Sequence, residues 1–370
     1  MLILAPMQGL TELLFRRAFE RAFPGVFDYA VSPFISLTHG NLRDAEKKID
    51  DVLPERNSGS MRVVPQILGH EVGEFVDLAN RLYDLGYEEV NWNIGCPMRR
   101  VAGKHRGSGI LPYPEEVRAV LEGVVPAMRP QLSVKMRLGY RSAKEIDSIV
   151  PILNDYPLAN VTIHPRIGKQ MYSGTPDLTR FAEVLPKLKH KVIYNGDICS
   201  LYDYERIRRM FPMVKDVMIG RGVLYNPLLP IEIRHAQPEG LDGVNGVNGV
   251  DGFEDNGKNF NVNLNLNFRY RASHENYNEN GKNFNDNLNF RYRGGDSNGE
   301  GAVGTASEFI VSMMEEIMEL DVSREAKIRK MKEYWCLFGK AVGGSEERKR
   351  RVLHADRLEE VLALILEMTK

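Results

Sequence analysis

From Leu2 to Gly222, short runs of buried-strand character alternate with stretches whose apolar residues recur at i, i+3, i+4 and i+7. The strand-like runs are LILAP (2–6), YAVSPF (29–34), RVVPQIL (62–68), EVNWNI (89–94), LSVKMRLG (132–139), NVTIHPR (160–166), KVIYNGDI (191–198) and DVMIGRG (216–222). Between them, EVGEFVDLANRLYDLG (71–86) carries the helical period and stops at Gly86. Eight such units predict an α/β chain folded as a TIM (β/α)8 barrel. A doubly wound open sheet shares the alternation, but it calls for a G-x-G-x-x-G turn after the first strand, and none is present.

The pattern breaks at Pro238. Of the 67 residues from 238 to 304, 16 are Asn and 12 are Gly, and no long apolar period survives. NGKNFN begins at Asn256 and again at Asn280; NFRYR begins at Asn267 and again at Asn289. Two copies are too few to bury a solenoid core, and Asn and Gly favour turns. The tract is therefore expected to be a disordered, low-complexity insertion, with VNLNLNFRYR the one stretch patterned for a local hairpin. The predicted domains are a barrel (1–237), this insertion (238–304) and a small C-terminal helical domain (305–370).

Composition changes this picture little. The chain is 43% hydrophobic and 27% charged, as a globular protein should be. No apolar run approaches the roughly 18 residues of a membrane span, and MLILAPMQG has neither the charge nor the length of a signal peptide. Three scattered cysteines without a C-x-x-C pair argue against a disulfide framework and against a metal site. A cytoplasmic protein with no membrane partner is expected. Charge is more informative. The net of −1 hides a +6 excess between Arg324 and Arg357 and a −4 deficit within 238–304. A polyanionic partner is therefore not excluded; the question moves to the C-terminal region.

Catalytic groups of a TIM barrel stand at the C-terminal strand ends. Polar residues gather there: Met7 and Gln8 after the first strand, Gln66, then Asn91, Asn93 and Cys96, Lys135 and Arg137, His164 and Arg166, Asn195 and Asp197, and Arg221. NGD (195–197) and GRG (220–222) set glycines at the seventh and eighth strand ends, where barrels often bind phosphate, and Arg221 adds a cation. Lys135, inside a strand-like run, either points into the barrel mouth, where it must meet an anion or lose its proton, or faces solvent between helices. Cys96 lies between Gly95 and Pro97 and precedes a basic loop with Arg99, Arg100, Lys104 and Arg106. A thiol of ordinary pKa, about 8.5, suits a general acid. Neighbouring cations would instead make it a nucleophile. Residue types alone leave both roles open.

In order and spacing these residues resemble the tRNA-dihydrouridine synthases, FMN-dependent enzymes with a TIM barrel and a helical domain. The matching stretches are APMQGLTELLFRR, PQILG (65–69), VNWNIGCPMRRVAGKHRGSGIL (90–111), VKMRLG (134–139), IHPR (163–166), YNGDI (194–198) and VMIGRG (217–222), with KIRKMKEYWCLFGKA (327–341) opening the RNA-facing segment. The resemblance implies reduction of a tRNA uridine to 5,6-dihydrouridine, hydride passing from reduced flavin to C6 and a proton from Cys96 to C5, with NADPH as reductant. It implies that Pro6, Met7, Gln8, Gln66, Lys135 and His164 contact the flavin. Asn195, Gly196, Asp197, Gly220 and Arg221 would hold its phosphate. Asn93, Arg137, Arg166, Arg99, Arg100, Lys330 and Lys332 would meet the RNA substrate. A monomer is expected.

This sequence departs from the family pattern at Gln8, at Trp92, expected to alter packing beneath Asn93, and in the long insertion, which leaves the docking of the helical domain open. Two other readings stand beside it. One is an FMN barrel acting on a free pyrimidine, dihydroorotate-dehydrogenase-like, which has no need of the basic C-terminal segment. The other is a non-catalytic RNA-binding barrel.

Overall fold

The computed structural model describes residues 1–36, 48–57, 59–236, 292–293, 303–338 and 346–367. Eight parallel strands close into a barrel in sequential order: β1 (Leu2–Leu4), β2 (Tyr29–Ile35), β3 (Arg62–Ile67), β4 (Glu89–Ile94), β5 (Gln131–Gly139), β6 (Val161–Ile167), β7 (Val192–Asn195) and β8 (Asp216–Ile219). Closure is made by β1 on β8, with Ile3 opposite Met218. The open-sheet alternative is thereby excluded. All eight predicted strands form, but β7 and β8 end early. Asp197 turns into the left-handed region (φ 42°), and helix geometry begins at Arg221, so NGD and GRG are loop rather than ladder.

The barrel helices are α1 (Leu13–Ala22), α2 (Val72–Asp84), α3 (Arg99–Ala102), α4 (Pro114–Val124), α5 (Ile146–Leu153), α6 (Leu178–Val184), α7 (Leu201–Met210), α8 (Arg221–Tyr225) and α9 (Leu229–Ala236). Gly86, just past α2, takes φ 97°, which only glycine adopts without strain. Alternation along each strand sends one set of side chains outward to these helices and the other into the barrel. Inside, Ile3, Ala5, Tyr29, Val31, Val64, Ile193 and Met218 form a compact apolar plug. The β3–β5 side of the interior is polar instead: Gln66 Nε2 donates to Asn91 Oδ1 (2.8 Å), and Asn91 Nδ2 donates to Ser133 Oγ (2.9 Å). Every member finds a partner, which is what makes burial of three polar side chains tolerable.

Trp92 belongs to the outward set. Its ring meets Phe75 of α2 edge-on at 6.3 Å and its Nε1 donates to the Gly69 carbonyl (2.9 Å). The expected effect beneath Asn93 is corrected: strand alternation sends residues 92 and 93 to opposite faces.

Past the Asn/Gly-rich tract, Thr305 and Glu308 form a capping box that opens α10 (Ala306–Glu319), followed by α11 (Arg324–Phe338), α12 (Glu346–His354) and α13 (Leu358–Glu367). The VNLNLNFRYR hairpin expectation lies outside the described residues; the later copy contributes Tyr292–Arg293, paired antiparallel with Val303–Gly304.

The four helices are joined to the barrel by a buried aromatic cluster. Phe309 packs on Phe15 (5.5 Å), Phe19 (5.7 Å), Phe23 (6.0 Å) and Phe338 (5.2 Å). Beside it Arg17 and Arg21 of α1 reach the buried Glu316 carboxylate at 3.3 and 2.7 Å. At the mouth, Tyr334 donates to the Leu10 carbonyl (2.5 Å) and Lys330 to that of Gly9. No helix among the described residues is long and apolar enough to cross a membrane.

Candidate active site

Cys96 sits just beyond β4, where the chain leaves the barrel, and its position is over-determined. Asn93 Oδ1 accepts from the amides of Gly95 (3.0 Å) and Cys96 (2.8 Å), and Asn93 Nδ2 donates to Gln66 Oε1 (2.7 Å). From β5, Arg137 Nε donates to the Gly95 carbonyl (3.1 Å). On the far side of the loop, Ser108 donates through both N (3.0 Å) and Oγ (3.1 Å) to the Cys96 carbonyl. Gly107 lets these strands of the loop touch: at φ 55°, a Cβ there would come within 2.5 Å of the Cys96 oxygen. The thiol is partly exposed, and burial pushes its pKa up; the cations of Arg137, Arg100 and Lys135 oppose that push without reversing it. Of the two roles left open by residue type, this favours the protonated thiol, an acid rather than a resting thiolate.

The rest of the mouth is cationic. Lys135 and Arg137 stand on β5, Arg166 on β6 and Arg221 after β8, and the last two share one carboxylate, Asp197. Arg166 grips Asp197 with both terminal nitrogens (2.8 and 2.5 Å), and Arg221 reaches the same carboxylate. Arg166 NH1 also lies 3.1 Å from His164 Nε2. A guanidinium only donates, so His164 Nε2 carries the lone pair and Nδ1 the proton. Burial and these neighbouring cations hold the His164 pKa well below its usual value, so the ring is neutral.

Lys135 has no hydrogen-bond or ion-pair partner among the described residues, and burial together with Arg137 lowers it to about 7. Arg137 also falls, to about 10, chiefly through burial.

Tyr172, half exposed in the loop after β6, was not singled out from sequence. Its ring lies 5.3 Å from the Arg137 guanidinium carbon and 5.1 Å from that of Arg221. The adjacent Met171 takes φ 54° and offers its carbonyl to Arg137 NH1 (2.6 Å). An exposed tyrosine in a Ser/Gly-flanked loop at a catalytic strand end was the available signal.

The remaining expected residues fall into two groups. Met7, beside Pro6 and the exposed Gln8, comes close to Gly220, where an added Cβ would lie 3.3 Å from its sulfur. Asn195 caps the neighbouring strand through Nδ2 to the Met218 carbonyl (2.8 Å), and Gly196 sits against Tyr194 and His164. Arg99 and Arg100 are exposed on the rim and make no ion pair among the described residues. Four expected RNA contacts are instead engaged within the protein. Arg137 and Arg166 are buried on carbonyls and on Asp197; Lys330 docks α11 on the β1–α1 loop beside Glu12 (3.7 Å); Lys332 pairs with Asp356 (3.6 Å). Asp197, expected at the phosphate, is held by Arg166 and Arg221, where its carboxylate competes with a phosphate for Arg221.

A TIM barrel with a thiol held at its mouth among cationic side chains has the layout of a barrel enzyme, whose active site lies at the C-terminal strand ends. Residues 3–309 match the family model described as dihydrouridine synthase, and the chain belongs to that family. A probable tRNA-dihydrouridine synthase of Rickettsia conorii is 27% identical over 65% of this chain and 71% of its own. The tRNA-dihydrouridine(16) synthase of Pseudomonas putida is 30% identical over 63% and 73%, and the tRNA-dihydrouridine synthase B of Pasteurella multocida 29% over 62% and 67%. Among solved structures, morphinone reductase is 14% identical over 64% of this chain and 85% of its own, with a TM-score of 0.44; nothing about the site follows from it.

Proposed function

We propose that this enzyme reduces a uridine of tRNA to 5,6-dihydrouridine, with FMN as resident cofactor and NADPH as reductant. The observation that carries the reading is the Cys96 thiol, kept protonated by burial and fixed by Asn93, Arg137 and Ser108 at the mouth of a barrel of this family.

The residues present fit an anionic, phosphate-bearing cofactor. Arg166 and Arg221 share one carboxylate, and the half-buried Lys135 amine has no counterion among the described residues. Lys135 and neutral His164 would contact the ring, with Pro6, Met7 and Gln8 lining it. Gln66 is engaged at both ends of its amide by Asn91 and Asn93, so it orients Asn93 and has one amide hydrogen left for the cofactor. Arg221, Gly220, Asn195 and Gly196 surround the phosphate end, with Asp197 holding Arg221 in place. When bound, FMN supplies the hydride; Lys135 stabilises negative charge near it.

The protein's own work is on the pyrimidine. Asn93 holds the loop that carries the acid. Cys96 delivers its proton to C5 as C6 becomes saturated, and is reprotonated from solvent through the exposed side of the loop. The base must leave its stack to reach this depth. Exposed Arg329, Arg350 and Arg357, without ion-pair partners among the described residues, are available to the RNA backbone. These cations favour tRNA over a free pyrimidine. The test is direct: purified protein, FMN and NADPH are incubated with total tRNA from cells lacking the gene, and dihydrouridine is quantified by mass spectrometry. Failure to form it overturns the reading.

A further inference from the structure

The Cys96 loop holds a cation with no counterpart. Arg106 is 7% exposed, its Nε is buried without a hydrogen-bond partner, and no ion pair reaches it among the described residues. The carboxylate this loop does engage, Glu116 on α4, is taken by His105 Nδ1 at 2.9 Å. A buried guanidinium N–H left without an acceptor is costly, and the cost is relieved by an anion that arrives with a ligand. Arg106 directly precedes Gly107, where an added Cβ would lie 2.5 Å from the Cys96 carbonyl oxygen, so the backbone carrying this cation runs against the backbone carrying the thiol. Arg99 and Arg100, exposed and likewise unpaired, stand on the same loop.

The chemistry of the substrate says which anion belongs there. In a pyrimidine nucleotide with the usual anti base, the C5–C6 edge faces the nucleotide's own 5′-phosphate. An acid placed at C5 therefore has that phosphate as a neighbour. Topology supplies a second argument. The cofactor-phosphate cations follow β7 and β8, whereas Arg106 follows β4, half-way round the eight-stranded ring from β8. An anion site after β4 would therefore be separate from the one after β7 and β8.

We propose that Arg106, with Arg99 and Arg100, forms a phosphate subsite for the 5′-phosphate of the nucleotide whose base is reduced. The subsite rests on the uridine reading and extends it: the enzyme recognises a nucleotide within a chain, not a base, through a contact adjoining the reacting carbons. Arg137 does not share in this, being committed to the carbonyls of Gly95, Ile167 and Met171.

The experiment is competition by mononucleotides against tRNA on the flavin-loaded enzyme. Uridine 5′-monophosphate is expected to bind about tenfold more tightly than uridine, equivalent to about 1.4 kcal/mol, and uridine 3′-monophosphate no better than uridine. Arg106→Gln should collapse the 5′ preference towards one while Arg106→Lys keeps part of it, both with flavin content unchanged. Should Arg106→Gln fail to fold, the exposed pair Arg99→Gln/Arg100→Gln is expected to reduce the same ratio. Equal binding of the 5′ and 3′ monophosphates would overturn the subsite by reducing it to general attraction, as would an undiminished 5′ preference in these variants. Absence of dihydrouridine in the tRNA assay would instead defeat the uridine reading; dihydrouridine formed without a 5′ preference defeats only the subsite.

Discussion

Arg137 donates from Nε to the carbonyl of Gly95 at 3.1 Å, binding β5 to the residue that precedes the thiol. The same guanidinium reaches Ile167 and Met171, so one planar group ties the acid's loop to the loop that carries Tyr172. Lysine keeps the charge but not the fork. Arg137→Lys is expected to lower kcat about 10- to 100-fold, the scale of an acid displaced by about an ångström, while flavin content stays near wild type. Stopped-flow kinetics separates the two: reduction of flavin by NADPH continues, and its reoxidation by tRNA slows.

Cys96→Ala removes the proton donor but none of the backbone bonds that shape its loop, which are made by main-chain atoms. Cofactor binding is expected to persist and uridine reduction to fall by about 10²- to 10⁴-fold, the usual worth of a positioned acid. Single-turnover reduction of tRNA by pre-reduced enzyme is the measurement; turnover within a factor of two of wild type would remove Cys96 from the mechanism.

Lys135 sets a pH dependence whose sign follows from its direction. Its folded pKa, about 7, lies below the 10.5 of a free lysine, so between those values the unfolded chain binds more protons. Stability of the cofactor-free protein attributable to this residue therefore rises with pH from about 7 upward and is least below 7, where a charged amine is buried. Lys135→Met should melt higher than wild type at pH 6, with the difference shrinking towards pH 10. Calorimetry across that range checks it; a constant difference would contradict the assignment.

Asp197 is shared by Arg166 and Arg221, and removing its charge leaves Arg166 buried and unmatched. Breaking a buried pair in this way costs about 3–5 kcal/mol, less here because Asp197 is partly exposed. Asp197→Asn is expected to lower the melting temperature and to recover more of it than wild type does when inorganic phosphate is added. Equal phosphate stabilisation of both proteins would show that the carboxylate and the anion do not compete.

The barrel was legible in the sequence because parallel strands buried on both faces read as apolar runs at regular spacing, and all eight ran where the pattern put them. The strand ends at 195 and 219 were less so: NGD and GRG follow the apolar runs without a break, and only the strand pairing, with the positive φ of Asp197, shows where the ladder stops. Cys96, Lys135 and Arg221 could be picked out as mouth residues since chemistry-bearing side chains at strand ends have little else to do. Which of the basic residues face solvent could not be read. Lys330 and Arg99 look alike in a charge count, yet one is consumed in docking α11 and the other stands free on the rim. Trp92 illustrates the same limit differently, because the alternation that sends it outward was visible, whereas its partner Phe75 is distant in sequence. The union of barrel and helices across the long insertion rests on aromatic contacts that no local pattern encodes.

The latch of Tyr334 and Lys330 onto the β1–α1 loop makes the helical module a fixed jaw of the catalytic face. On the proposed reading, a folded nucleic acid seated on those helices would be offered to the thiol at one set distance and from one side, so the protein would act as a caliper, choosing its nucleotide by measurement along the folded RNA before any chemistry begins.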